Sequence, residues 1–289
     1  MDQAIQFTLA GLTTGSIYAL IALGFTLTYN ASGVVNFAQG EFVMLGGFLA
    51  VTLHLTGLPL GLAAVDAVIG TALIAGVVHL LSLSRVPELD TFGLLMVTVG
   101  IAIVLRTLML LTWGSEERAL PAFSEGEAVQ ILGGSMPPQA LWVIGTGLVA
   151  MPVLYLFFTR TRAGDAMMAA SDNRIGARIV GIRTNRVGLF AFMLGAGLAA
   201  LGGVLIAPIT TISFALGLEF SVKGFTAAVL GGFGSPVGAV VGGLALGLVE
   251  KFGAGYISTG YQDLFALATL LLVLMFLPRG IAGSRALEA

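Results

Sequence analysis

The sequence contains no cysteine, two histidines, two lysines and few charges of either sign, and each shortage removes a class of function. Without cysteine there is neither a disulfide scaffold nor a thiolate metal site. His54 and His79 are too far apart for the paired histidines of an H-E-x-x-H metal helix. Neither Lys223 nor Lys251 follows a glycine, so the G-x-x-x-x-G-K-[ST] loop that cradles phosphates is absent. A net charge of −2 offers no basic footprint for nucleic acid. Charged residues make up 10% of the chain, against about 25% in a soluble domain, too few to cover a water-soluble globule. The 41 glycines follow no G-X-Y period, which excludes a fibrous chain. What is present is apolar: 57% of the 289 residues are hydrophobic and mean hydropathy is +1.01. This is the composition of an integral membrane protein.

A helix that crosses a bilayer needs roughly 20 mostly apolar residues. Gln3–Gly40 carries no charge and has room for one span and the start of another. Phe42–Val65 is also uncharged, and apolar character resumes beyond Asp66 as far as Leu83. Phe92–Gly114 holds one charge, Arg106, and Leu141–Thr159, Val187–Leu218 and Gly224–Val249 hold none. A last short run, Leu264–Pro278, extends back to Tyr261. The sequence therefore predicts an all-α, polytopic membrane helix bundle of about eight segments, a single domain over residues 1–289. The runs are continuous rather than alternating, which excludes a barrel. Met1-Asp2-Gln3 lacks a positive n-region and the apolar stretch behind it is too long for a cleaved signal, so the first helix is expected to insert by itself.

Arginine placement orients the chain. Segment 160–186 carries Arg160, Arg162, Arg174, Arg178, Arg183 and Arg186 against Asp165 and Asp172, six minus two or +4. Segment 114–138 carries Glu116, Glu117, Glu125 and Glu127 against Arg118, one minus four or −3. The first is expected in the cytoplasm and the second outside; Arg85 agrees, and the N-terminus falls outside. Arg279 and Arg285 also prefer the cytoplasm, yet three full crossings after Arg186 would place them outside. A break at Gly231-Gly232-Phe233-Gly234-Ser235-Pro236 offers a resolution, since no continuous helix tolerates it. The expectation is a re-entrant pair of half-helices within 220–250, each too short to span, entering and leaving from outside. The alternative is a kinked full span. Such backbone survives at membrane depth only when buried in protein or lining a cavity. Leu45-Gly46-Gly47-Phe48 recurs as Leu230-Gly231-Gly232-Phe233, a faint internal echo of the kind that transporter repeats leave.

Glu41 is the most informative single residue. It lies in an apolar stretch close to Asn36 and Gln39, and intramembrane acids face a bundle interior, a cavity or a partner. Two roles are open: Asn36, Gln39 and Glu41 line or gate a path, or Glu41 caps the N-terminus of a half-helix. Asp66 and Arg106 are expected to brace the interior, with pairing between them one arrangement. No chain of acids and histidines suggests a proton relay. Gly11/Gly15, Gly238/Gly242 and Gly243/Gly247 are spaced for close helix packing within the subunit. In the basic segment, Ala166–Val180 has helical character with Gly181 as its stop, and Arg174 and Arg178 share a face one turn apart. Anionic membrane lipid or another protein would suit that surface.

Three stretches carry a resemblance. Gly15-Ser16-Ile17-Tyr18-Ala19-Leu20 followed by Asn36-Phe37-Ala38-Gln39-Gly40-Glu41 is one, and Ala169-Ala170-Ser171-Asp172 leading to Gly181-Ile182 is the second. The most specific is Phe225-Thr226-Ala227-Ala228-Val229-Leu230-Gly231-Gly232-Phe233-Gly234-Ser235-Pro236, with Gly242-Gly243 and Glu250 beyond. Together they resemble the permease subunit of ABC importers of the branched-chain amino acid type, whose relatives include urea and amide permeases. The resemblance implies a permease rather than an enzyme, in a bacterial inner membrane and without cofactor or metal. It implies a second permease subunit, identical or not, two cytosolic ATPases and an external solute-binding protein. It places Thr226 and Ser235 with Asn36, Gln39 and Glu41 in the pathway or gate. It places Asp172, Arg174, Arg178, Gly181 and Arg183 in the loop that engages the ATPase. The family commonly has histidine where this chain has Gln39. The expected cargo is a small neutral or zwitterionic solute, foremost branched-chain or other hydrophobic amino acids. A passive channel for a solute such as urea or an amide is the alternative, and a non-transport scaffold a further one.

Overall fold

Long apolar segments in a bilayer must satisfy their backbone groups internally, and the α-helix does this within one segment. In the computed structural model, which describes residues 2–86, 90–131, 133–277 and 280–281, the chain folds accordingly. The helices are α1 (Asp2–Ser32), α2 (Gln39–Leu55), α3 (Leu60–Leu81), α4 (Thr91–Trp113), α5 (Pro138–Arg160), α6 (Arg162–Asp172), α7 (Arg174–Ile179), α8 (Thr184–Ile206), α9 (Leu216–Gly231), α10 (Pro236–Tyr256) and α11 (Gln262–Phe276). Among the described residues seven helical segments are long and apolar enough to cross a membrane, and α2 is a shorter apolar helix, which makes the expected eight. Between α4 and α5 a two-stranded antiparallel hairpin, β1 (Val129–Ile131) and β2 (Gly134–Met136), pairs Val129 with Met136.

The helices form an inner group and an outer group. α1, α2, α8, α9 and α10 pack around a core that includes Ile17, Leu20, Phe25, Phe42, Phe48, Ala196 and Leu246. Glycine lets these helices approach backbone to backbone. Gly11 and Gly15 of α1 face Gly247, Leu248 and Leu244 of α10, while Gly243 meets Ala19 and Gly203 of α8 meets the Val43 carbonyl; a methyl group at any of these would collide with main chain. Gly238 and Gly242 lie instead against Gly231 and Ala227, inside the α9–α10 hairpin. The outer helices α3, α4, α5 and α11 leave Leu73, Val104, Leu111, Leu148, Leu156 and Leu271 exposed, the apolar surface expected toward lipid.

The bundle has an acidic end and a basic end. At the acidic end Gln6 exchanges two 2.8 Å hydrogen bonds with the Ser135 backbone, Phe7 lies edge-on to Phe252 and Tyr256, and Arg118 bridges Ile212. At the basic end Asn30 donates to the Gly234 carbonyl at 2.9 Å. Gly234 and Pro236 there share a cavity with Thr159, Met167 and Ser171. The Ile281 amide donates to the Leu230 carbonyl at 2.9 Å, so the chain beyond α11 also returns to this end.

The break at 231–236 is real, but its surroundings differ from the expected pair of short arms. Gly232 (φ 102°) and Gly234 (φ 96°) take the left-handed backbone that only glycine adopts without strain, Pro236 opens α10, and the Ser235 hydroxyl accepts from Gly238 N at 3.1 Å. α10 has 21 residues, enough to cross alone, and the turn lies at the basic end rather than within the bundle. From the basic segment the chain runs out through α8, back through residues 207–231, out through α10 and back through α11. Four passes, not three, bring it to the end where it started; Val187–Leu218 reads as one apolar run but contains both α8 and the descent into α9. Arg279 and Arg285 lie outside the described residues.

Two further expectations change. Ala166–Val180 is not one helix: Asn173 (φ −151°, ψ 99°) interrupts it, and its side chain accepts from Gly176 N at 2.8 Å to cap α7. Asparagine is a strong N-cap, so a new helix starts there. The echo of 45–48 in 230–233 does not extend to conformation, since Gly46 and Gly47 are mid-helix and Gly231 and Gly232 end one.

Candidate functional site

The start of α2 is held by four other helices. The Asn36 side-chain oxygen accepts from Ala38 N at 3.1 Å, and the Phe37 amide donates to Thr98 Oγ1 of α4 at 3.2 Å. Ser221 of α9 accepts from Gly40 N at 3.0 Å and donates to the Phe37 carbonyl at 3.2 Å. Gln39 crosses over Gly24 of α1 to donate to the Gly195 carbonyl of α8 at 2.7 Å. Asn36 and Gln39 are both buried, so they close the space between α1 and α8 rather than line an open passage. Asn36 reaches only a cavity of about 70 Å³, shared with Thr28, His79, Thr98 and Phe192.

Glu41 occupies the first turn of α2 and is 1% exposed. The sequence offered it as the cap of that helix, but Asn36 and Ser221 take the amides first. Its Oε1 instead pairs with Arg106 of α4. Arg106 therefore does not pair with Asp66, which is exposed on α3 and joins no ion pair among the described residues. The Glu41 carboxylate also lies against Gly217, in the first turn of α9, where any side chain would overlap it. Two helices of 17 and 16 residues thus bring their N-termini together inside the bundle, with an acid between them. Helix N-termini carry partial positive charge and amides without an intrahelical acceptor, which favours an anion there. The pair is incompletely satisfied: Glu41 Oε2 and Arg106 Nε have no hydrogen-bond partner among the described residues.

Thr226 and Ser235 have local roles. Thr226 is fully buried and donates to the Val222 carbonyl one turn back at 2.8 Å, and Ser235 caps α10. The structure does not bring either to the Glu41–Arg106 pair.

A second charged cluster escaped the sequence reading. Lys223 of α9 lies 2.6 Å from Glu219, 3.2 Å from Glu250 of α10 and 2.9 Å from Asp263 of α11. Tyr18 of α1 donates to Glu250 at 2.7 Å, and Gln262 donates to the other oxygen of the same carboxylate. The spacing Glu219–Lys223, four apart, was the readable signal.

At the basic end, α6 and α7 stand on α5 and α8. Thr161 accepts from Gly164 N at 3.0 Å, and Gly164 lies directly on the Phe157 and Phe158 backbone. Arg178 Nε donates to Thr184 Oγ1 at 2.9 Å, which fixes α7 to the start of α8. Gly181 (φ 89°) ends α7, Arg183 precedes α8, and both line an open groove with Arg178 and Arg186. Ile175 and Ile179 of α7 are 73% and 80% exposed. Asp172 and Arg174 sit on either side of Asn173; their side chains lie outside the described residues.

Comparison with known proteins places these elements in a wider group. The family described as branched-chain amino acid transport system / permease component matches residues 7–274. The high-affinity branched-chain amino acid transport system permease protein LivH of Escherichia coli (strain K12) is 35% identical, over 98% of this chain and 97% of that one. Its counterpart BraD of Pseudomonas aeruginosa is 34% identical with the same coverage. A chain in the solved structure of PsaBC from Streptococcus pneumoniae in complex with Fab has a TM-score of 0.52 at 12% identity, covering 94% of this chain and 92% of that one, a likeness of fold alone.

Proposed function

The chain belongs to the family of permease components of branched-chain amino acid transport systems, and we propose that it passes branched-chain amino acids inward as one subunit of an ATP-driven importer. It is a multi-pass inner-membrane permease and works as a transport subunit rather than an enzyme. The importer would combine two permease subunits, two cytosolic ATPases and an external binding protein that delivers the amino acid. The observation that carries this reading is the α6–α7 element. The exposed apolar side chains Ile175 and Ile179 of α7 and Val180 behind it need a partner, and the firm seat of α6 on α5 and of α7 on α8 suits the element to transmit force. Arg178, Gly181 and Arg183 would form the contact with an ATPase, together with Asp172 and Arg174. Asn36, Gln39 and Glu41 would form the inner gate, with Gln39 holding α2 to α8. Thr226 and Ser235 would support that gate through α9 and α10.

Reconstitution of the full complex into proteoliposomes tests the reading. Uptake of L-leucine should require ATP inside and binding protein outside. Arg178→Glu should leave the permease inserted while ATPase association and uptake fall together. Leucine flux that proceeds without ATP, or urea flux through the permease alone, would replace the importer with a channel.

A further inference from the structure

We propose that Glu41 and Arg106 receive the charged head of the transported amino acid, Glu41 binding its ammonium and Arg106 its carboxylate. This rests on the reading of the chain as an amino acid permease and names the groups in the membrane that would recognise the cargo.

The geometry that points there is the incompleteness of the ion pair. Arginine and carboxylate can meet through two parallel hydrogen bonds, which satisfies both oxygens and two nitrogens. Here a single contact joins Arg106 to Glu41 Oε1. One acceptor, Glu41 Oε2, and one donor, Arg106 Nε, are left without partners, both buried. A zwitterionic amino acid head supplies the complement of this pair, an ammonium donor and a carboxylate acceptor. Charge balance favours the same class. Glu41 and Arg106 together are neutral, and so is an amino acid, so the four groups alternate in sign and no net charge enters the bundle. A ligand with only an ammonium or only a carboxylate would leave one buried charge uncompensated, which is costly at membrane depth.

The surroundings supply the rest. The Glu41 carboxylate sits where α2 and α9 bring their N-termini together, and the positive ends of the two helices favour its charged form. On α4, helical spacing flanks Arg106 with Ala102, Ile103, Met109 and Leu110, an apolar setting for a branched aliphatic side chain. The Arg106 side chain is 31% exposed and is the member of the pair a ligand meets first, whereas Glu41 Oε2 lies against Gly217 and becomes reachable when α9 moves away from α2. α4 is fastened to the core at three points along its length, namely Thr98 with Phe37, Arg106 with Glu41, and Trp113 with Thr52 and Phe48. An amino acid that takes over the valences of the middle fastening loosens it at the moment of passage.

The test is competition binding to the permease–ATPase complex in lipid nanodiscs, without binding protein, with radiolabelled L-leucine as probe. L-Leucinamide lacks the carboxylate and 4-methylpentanoate lacks the ammonium. Each should compete about tenfold or more weakly than leucine, the loss expected for one charge-assisted contact. In Glu41→Gln the gap between leucine and 4-methylpentanoate should close, and in Arg106→Gln the gap between leucine and leucinamide should close. A pair that merely fastened α4 would not change these ratios. Equal competition by all three compounds in the unmodified complex overturns the proposal without any variant needing to fold. So does absence of leucine binding in a complex that imports leucine once binding protein and ATP are supplied. Absence of import under those conditions instead removes the reading of the chain as a leucine permease.

Discussion

Two buried charged clusters sit on opposite faces of α9 and are built differently. Lys223 is 4% exposed and meets three carboxylates, and the innermost of these, Glu250, takes further hydrogen bonds from Tyr18 and Gln262. That cluster joins α1, α9, α10 and α11, and among the described residues none of its side-chain polar atoms is buried without a partner. The Glu41–Arg106 pair joins α2 to α4 by one contact and leaves an atom unpartnered on each side. A buried charge network that is complete rigidifies the helices it joins, whereas an incomplete one stores an unmet interaction. The complete cluster is the expected anchor of the inner group, and the incomplete pair the expected place of change.

Removing the cation from the complete cluster should have the largest effect on folding. Lys223→Met leaves Glu250, fully buried, facing Glu219 and Asp263 without a counter-charge. Breaking a buried pair from one side costs about 3–5 kcal/mol. Denaturant titration of the purified protein in mixed micelles should therefore show it folded over a much narrower range, and restoring charge with Lys223→Arg should recover part of the loss. A Lys223→Met protein as stable as the parent would remove the contrast between the clusters.

Tyr18→Phe tests the same cluster more gently. It keeps the ring against Phe220 and removes only the hydroxyl that donates to Glu250. Loss of one hydrogen bond to a charged group in a membrane bundle is worth about 1–2 kcal/mol. The same titration reads it, and an effect equal to that of Lys223→Met would mean that α1 rather than the ion pairs holds the cluster together.

Glu41→Gln should separate stability from function. Glutamine keeps the size and one acceptor, and the long Arg106 side chain, already partly exposed, can carry its charge outward. Stability should fall by less than the about 3–5 kcal/mol of a one-sided break in a fully buried pair, because Arg106 keeps a route to solvent, while leucine uptake falls far more. A stability loss as large as that of Lys223→Met would make Glu41–Arg106 a second anchor.

These contrasts also mark what the sequence could disclose. Apolar run length identified the membrane class and the eight apolar helices, because burying a backbone in lipid demands continuous hydrophobic stretches. Gly231–Pro236 announced a chain break because glycine and proline act locally. The destination of that break was not local: whether 231–236 lies inside the bundle or at its basic end depends on Asn30 meeting Gly234, 204 residues away in sequence. Glu41 stood out as an acid in an apolar run, but its partner did not. Asp66 and Arg106 are the other charges within apolar stretches and have opposite signs, but the fold pairs Arg106 with a carboxylate 65 residues away and leaves Asp66 exposed. Lys223 was overlooked because one charge at the edge of an apolar run reads as a boundary. Asn173, a polar residue within a helical pattern, held the information that α6 and α7 are separate.

The smallest effect belongs to Gln39→His, which introduces the residue that the resemblance led us to expect at that position. Gln39 lies at the start of α2 over Gly24 of α1, and its one strong contact is the 2.7 Å bond from Nε2 to the Gly195 carbonyl of α8. The Asn36 amide reaches its oxygen only at 3.4 Å. A neutral histidine offers a ring N–H at similar reach, so Gln39→His should retain the link between α2 and α8 and change stability by no more than about 0.5 kcal/mol. Gln39→Leu keeps bulk but leaves the Gly195 carbonyl unmatched beside Gly24, at a cost of about 1–3 kcal/mol. Competition ratios among leucine, leucinamide and 4-methylpentanoate should be the same in Gln39→His as in the parent, because Gln39 points to α8 while the incomplete pair points to α4. A shift in those ratios would bring residue 39 into contact with the cargo and extend the site from the Glu41–Arg106 pair across the start of α2.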